Sequence, residues 1–570
     1  MKKTMKLGFC ASVAIVALLM LLAVGSNSAS AQEGSRPAVE ASAAIALSQK
    51  IPPDQRLHLS TAANNYLYLT KSGALKRINA STSAQQAIRQ ALARGDARTL
   101  STVSSPAPVN DADFDFLLSR LAGFTQNGSS NAWCGQNVVV GYNDSQALLL
   151  TAALGRSNSF SGVAVSHDGG ASFRASLFLD AGANPGNFLN GEPVLACAAK
   201  NFYYASLFEF PGAIDPTTGA PRPLTGVGVN RSRNSGDAWS VPFPAVKKDA
   251  NEHFVDKEWM AVDPNNPDQL YVSYTDFDFS SRKANGCDGG SRVAIELVAS
   301  NNGGLDWSQP AVVDQVCRPQ FGQALEGSQV MVGNAGEVFV AWVSETRIDE
   351  ELFFRNSLDG GLTFSKPVSV GKAVFAGLGG NGRLQSLLLG NSFPSLSVDR
   401  SKGFSRGTLY LTWTDASHNQ IPDFLAPTQT YGFGDVVFSR STDKGATWTS
   451  TRVVSPAPLH SAGRDQFLPS AAVDHEGTLA ICYFDRRRDP ENNGVDHYCS
   501  VSHDQGTTFA GTRNTPKSWT PAHSNDGLVD PVSLGDYDGV SSDSNGASPG
   551  FFSSFQTQVM GNPDIVGVRF

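Results

Sequence analysis

The sequence lacks the usual marks of a zinc protein: it has no C-x-x-C or H-x-x-x-H spacing, and its nine histidines form no ligand pair. It also lacks a basic excess. The formal charge is −8, and falls to about −11 once Lys2, Lys3 and Lys6 leave with the leader described below. That balance argues against nucleic acid and anionic membrane surfaces as partners. With 17% charged and 41% hydrophobic residues, the chain is not dominated by disorder.

The first 31 residues have a basic start, an apolar run over 11–24, and Ala29-Ser30-Ala31 before Gln32. This is the layout of a cleavable secretory signal, so the expectation is a secreted or periplasmic protein with no retained membrane span. Seven cysteines become six after cleavage at Ala31. An even count in an exported chain predicts three disulfides. Cys482 with Cys499, on consecutive strands, is the best pair; Cys287 with Cys317 and Cys134 with Cys197 follow by proximity.

What the chain does have is a repeated turn. Ser441-Thr442-Asp443-Lys444-Gly445-Ala446-Thr447-Trp448 fits S-x-D-x-G-x-x-[F/W], with Asn allowed for Asp, and the pattern recurs at 166–173, 232–239, 300–307, 357–364, 441–448 and 502–509. The acid or amide at Asp168, Asn234, Asn302, Asp359, Asp443 and Asp504 accepts backbone N–H groups in a tight turn. The glycine two residues on supplies positive φ, and the aromatic buries its ring. These positions lie 66, 68, 57, 84 and 61 residues apart, and each interval holds several strands, as in a propeller or solenoid.

Three segments follow: a leader over 1–31, a partly helical extension over 32–125, and a β-rich domain over 126–570. In the extension, helices are expected from Ser83 to Gly95 and from Asp111 to Gly123, with nothing that suggests chemistry. In the domain, second strands end on an aromatic and an acid, as in Tyr142 to Asp144, Tyr274 to Asp276, Trp413 to Asp415 and Phe484-Asp485. Inner strands recur around Met260, Leu396 and Ala471, but the first repeat shows no obvious one. Six turns plus a three-strand remainder give an all-β propeller of six or seven blades, seven preferred.

The six turns resemble the Asp-boxes, or bacterial neuraminidase repeats, of sialidases and other exported β-propeller proteins. The resemblance implies that the turns lie on the face away from the ligand site, and that the six turn residues are structural. The opposite face then carries Asp144, Glu209, Asp256, Glu258, Asp276, Asp415, Asp465, Asp485, Asp536 and Asp538, with Arg486, Arg487 and Arg488 as the cationic group. Such a rim suits a glycan or protein ligand, or a calcium ion; no other cofactor is expected. The competing reading is that these acids cap strand ends and pair with blade neighbours.

A sialidase grips its substrate with three arginines, the first in an R-I-P motif before the first box. Here Arg156 is the single arginine between Gln126 and Ser166, and Arg318-Pro319 is the nearest echo. If the chain is nonetheless a glycoside hydrolase, Asp276 or Asp485 as acid/base and Tyr537 as nucleophile or stabiliser are the first residues to test. Three functions therefore stand: a monomeric glycan- or protein-binding propeller, a diverged hydrolase, and a structural or adhesive surface protein.

Overall fold

A computed structural model describes residues 59–72, 107–108 and most of 125–570. The leader and the two expected helices of the extension lie outside the described residues.

Seven sheets form the blades, six of them four-stranded and antiparallel; the second blade adds two short strands, Asn158–Ser159 and Phe188–Leu189, which pair parallel with each other. Their inner strands are Gln126–Cys134, Val194–Ala198, His253–Asp263, Ala324–Val332, Ser395–Val398, Gln466–Val473 and Gly539–Ser542. In the first six blades the second, third and outer strands follow in chain order, each antiparallel to the one before. The last blade is assembled from both ends of the domain: Gly539–Ser542, Phe551–Thr557 and Asp564–Arg569 are completed by Ala107–Pro108, whose backbone pairs with Val566 and Gly567. Strand exchange of this kind removes the free edge that a ring of sheets would otherwise leave.

The first blade has an inner strand, Gln126–Cys134, where none was expected. Its sequence, QNGSSNAWC, has neither the alternation nor the branched residues by which a strand is recognised. Tertiary contacts supply what local pattern lacks. Every residue of this strand is buried, and Ser129 and Asn131 donate to Asp538 and to the Ser554 hydroxyl, across the seam to the last blade.

The six turns all close in the same way. In the first, the Ser166 hydroxyl donates to Asp168 at 2.7 Å, the Gly170 N–H donates to the Ser166 hydroxyl at 2.8 Å, and the Ser172 N–H donates to Asp168 at 2.9 Å. The fifth repeats this set on Ser441, Asp443, Gly445 and Thr447. Gly445 has φ +85°, and a Cβ there would lie 1.9 Å from the Phe354 ring of the preceding blade. At Gly506 the same position meets Phe438, again one blade back. The glycine thus answers two demands at once, a left-handed backbone and a close approach between blades.

Three disulfides join Cys134 to Cys197, Cys287 to Cys317 and Cys482 to Cys499, the pairing expected from the sequence. They indicate an oxidising compartment.

The described part of the extension is one helix, α1 (Thr61–Lys71), which was not anticipated. It lies across the end of the central channel opposite the six turns. Leu59, Ala63 and Leu67 pack with Phe254, Phe277 and Trp342; Tyr66 and Leu69 pack with Leu148, Phe160 and Phe188. A second helix, α2 (Ser145–Leu154), follows the second strand of the first blade, with Asp144 as its N-cap.

Candidate ligand site at the channel mouth

At the end of the channel that carries α1, the inner strands are not regular. Register breaks occur between Asn127 and Ser130, Asp256 and Trp259, Glu326 and Gln329, and Phe467 and Ser470. The residues at or beside these levels include Gly128 and Gly327, but also the non-glycines Lys257 (φ +48°) and Leu468 (φ +53°); Glu192 (φ +53°) leads into the second blade in the same conformation. A bulge re-aims a side chain, and a strained φ persists only where surroundings hold it. Here the bulge after Asp256 places Lys257 and Glu258 on the wall of a central chamber.

Glu192, Asp256 and Asp536 come from three different blades and converge on the first turn of α1. Asp256 accepts the Ser60 N–H at 2.9 Å, Asp536 accepts the Thr61 N–H at 2.6 Å and its hydroxyl at 2.8 Å, and Glu192 accepts the Ala62 N–H at 3.0 Å. Ser60 caps the helix in the ordinary way, accepting from Ala63 at 3.0 Å. Together they satisfy donors that a helix N-terminus leaves open, and the helix dipole favours negative charge there. The Lys257 ammonium lies 3.3 Å from both Glu192 and Asp536, over the rings of Tyr537 and Phe393 at 4.4 and 4.7 Å. Burial opposes that charge, but Asp536 and Glu192 outweigh it and hold Lys257 protonated.

Burial acts the other way on the acids. It pushes Asp256 up to about 6 and Glu192 up to about 7, the latter held back by Lys257. Glu258 is pushed well above the carboxylate range by burial and by its neighbour Glu192. It is 2% exposed, and among the described residues neither of its oxygens is in hydrogen-bonding contact with another residue. Lys257, Glu258, Trp259, Phe393, Asp536 and Tyr537 help line a chamber of about 30 Å³ next to the carboxylates that hold α1. Below it the channel continues as a cavity of about 460 Å³, reaching Lys402, His475 and Gly546 at the turn face.

The residues expected on the rim divide into two groups. Asp256, Glu258, Asp536 and Tyr537 meet at the centre. The others serve their own surroundings: Asp144 caps α2 at Gln146, Glu209 accepts from Thr225, Asp415 accepts the Val374 N–H, and Asp538 accepts from Ser129. Arg486 is buried against Asp465, and Arg487 pairs with Asp485. Asp276 lies in a separate buried network with His253, Lys248 and Arg292. There the His253 hydrogen bond and Lys248 overcome burial and hold Asp276 at about 2. Tyr537 donates to the Pro193 carbonyl at 2.9 Å and packs edge-on against Trp259.

His253, Asp276 and Asp278 bring three donor atoms within 4.8 Å of one another, but Lys248 and Arg292 already neutralise them. A larger cavity of about 570 Å³ lies at the outer edge of the third blade, lined by Lys248, Arg292, Glu296, Gln315 and Arg355. It is open, and its Lys248, Arg292 and Glu296 are paired with one another, so the mouth is the stronger candidate despite its smaller chamber.

Sequence reasoning missed Glu192, Lys257 and α1. Glu192-Pro193 does fall in the slot of Leu468-Pro469 and Phe393-Pro394, and that alignment is the signal that could have found it. For α1 the signal is weak, because Asn64 and Asn65 interrupt its apolar stripe.

No family model matches this sequence, and neither does any curated protein. Among solved structures, similarity is found to an ulvan lyase (12% identical, 82% of this chain and 95% of that one, TM-score 0.45). It is also found to the NanB sialidase from Streptococcus pneumoniae (10% identical, 76% and 83%, TM-score 0.40) and an alpha-L-arabinanase from Penicillium chrysogenum (13% identical, 67% and 94%, TM-score 0.40).

Proposed function

We propose that this chain is an exported β-propeller that binds a glycan or protein ligand at the channel mouth opposite the six turns. The observation that supports it is the convergence of Glu192, Asp256 and Asp536, from three blades, on the N–H donors of one segment, the start of α1. Asp415 and Asp465, by contrast, join only adjoining segments, the Val374 N–H in one case and the Gly434 N–H and Arg486 in the other. Groups from separate blades that meet on one polar partner form a receptor.

A second reading, hydrolysis of a glycoside, is favoured by one feature. Glu258 is held protonated and unpaired within electrostatic reach of Asp256, and such a separation of two carboxyl groups suits an acid and its ionised partner. The Tyr537 hydroxyl, however, is engaged with a backbone carbonyl, not with a base.

Two assays on the mature chain separate these readings. Titration with a panel of glycans and peptides, followed by tryptophan fluorescence with Trp259→Phe as control, is expected to show saturable binding that the control does not report. Fluorogenic sialosides and other glycosides are expected to give no turnover. Turnover that disappears in Glu258→Gln would replace the binding reading with the hydrolase.

A further inference from the structure

We propose that α1 is a displaceable cap over Glu192, Asp256 and Asp536, and that the adjoining chamber, with Glu258 as its unpaired acid, is a site for a ligand bearing an ammonium group. This rests on the binding function proposed for the mouth and names the ligand chemistry of that site.

Three observations carry it. First, ring closure does not use α1: the last blade is completed by Ala107–Pro108, a separate segment, so the propeller can stay closed while the helix leaves. Second, the polar part of the α1 interface is made of charges that prefer water. Three carboxylates and Lys257 are buried under a helix whose own buried residues include Ser60, Thr61, Asn65 and Thr70. Third, Glu258 lines the chamber, is almost wholly buried and makes no contact that satisfies its carboxyl. An unsatisfied buried carboxyl costs stability.

The ligand class follows from what α1 and Lys257 supply now. α1 presents N–H donors and the positive end of a helix dipole to Glu192, Asp256 and Asp536. Lys257 shows the second half of the chemistry: its ammonium sits against two of those carboxylates and over the faces of Tyr537 and Phe393. With the helix lifted, Glu192, Asp256, Asp536 and Glu258 face a single lysine. A ligand that brings N–H donors and positive charge replaces what is lost. The chamber of about 30 Å³ admits a group the size of one water molecule, which is also the size of an ammonium head.

The test uses Ala63→Cys in the otherwise complete mature chain. Ala63 is fully buried under α1 against the blades, so a maleimide reaches it when the helix lifts. Labelling is expected to proceed under native conditions at a rate that low denaturant does not change. Glucosamine, spermidine and a free-amino tripeptide serve as ammonium probes, each beside its N-acetylated form, and the responses separate amino sugar, polyamine and chain terminus as sources. At least one free amine is expected to accelerate labelling about ten-fold, and Glu258→Gln to abolish that acceleration.

Equal effects of the amine and its acetylated form would overturn the ammonium class. Labelling that follows global unfolding alone would overturn the cap while leaving the binding reading to its own titrations. Should Ala63→Cys fold poorly, hydrogen exchange of the α1 amides in the unaltered chain replaces it: exchange slower than or equal to that of the blade amides contradicts a cap.

Discussion

The two ends of the channel use carboxylates in opposite ways. At the turn face, Asp359, Asp443 and Asp504 stand in solvent, and hydrogen bonds from their own turns, led by Thr363, Thr447 and Thr508, pull each down to about 2. At the mouth, Glu192, Asp256 and Glu258 are buried and pushed up. Local sequence supplies every partner of a turn acid within a few residues. The partners of a mouth acid come from α1 and from other blades. The difference teaches where to look for function: a carboxylate whose needs are met locally is fastening the chain, whereas one that depends on distant segments is held by whatever packs over the mouth.

The sharpest way to break this contrast is to remove one charge from each end. Lys257→Met leaves Glu192 and Asp536 facing each other without their cation, and a buried pair stripped of one partner loses about 3–5 kcal/mol. Urea unfolding of the purified variant measures it. The same measurement on Asp443→Asn is expected to give a much smaller loss, because that side chain is exposed. Equal losses would erase the distinction.

A second substitution sharpens the account of the turns. Gly445→Ala puts a Cβ where the Phe354 ring lies and leaves φ at +85°. Overpacking against a neighbouring blade costs roughly 1–3 kcal/mol. A loss in the midpoint of thermal unfolding is expected, while Ala446→Gly in the same turn is expected to change it little.

The smallest effect is the pH response, but its sign differs between the two ends. Glu192 and Asp256 titrate near 7 and 6 when folded, against ordinary values of 4.5 and 3.8. Between those values the folded protein holds the extra protons, so stability is greatest at low pH and falls as pH rises toward 7. The groups that face them are Lys257, Asp536, Glu258, Glu326 and the N-terminus of α1. For the turn acids the folded value is depressed to about 2, so their stabilisation is complete above about 4 and lost as pH falls toward 2. Amide exchange corrected for intrinsic rates is expected to show α1 loosening from pH 5 to 8, with the turns loosening below pH 4.

How much of this was legible follows from the same distinction. The turns, the disulfides and the second strands are written in short-range pattern, so Asp443, Cys482 with Cys499, and Tyr274 to Asp276 could be read in isolation. Gln126–Cys134 could not, because its Ser129 and Asn131 side chains are satisfied by the last blade, more than 400 residues away. At the site, the acids before inner strands were visible, and Asp256, Glu258, Asp536 and Tyr537 do meet. Which acids are central and which are caps was not visible, since that depends on bulges at Lys257 and Gly327 that carry no fixed residue type. Lys257 read as an ordinary strand residue, although it is the cation at the centre.

The most direct test of the mouth as a receptor is hydrogen exchange at the amides of Ser60, Thr61 and Ala62, compared between the native chain and the triple variant Glu192→Gln, Asp256→Asn, Asp536→Asn. The expected result is a loss of protection at these three amides at least ten-fold greater than the loss at the blade amides. Protection that persists at all three would show that the carboxylates do not hold the helix, and would contradict the assignment of the mouth as the binding face.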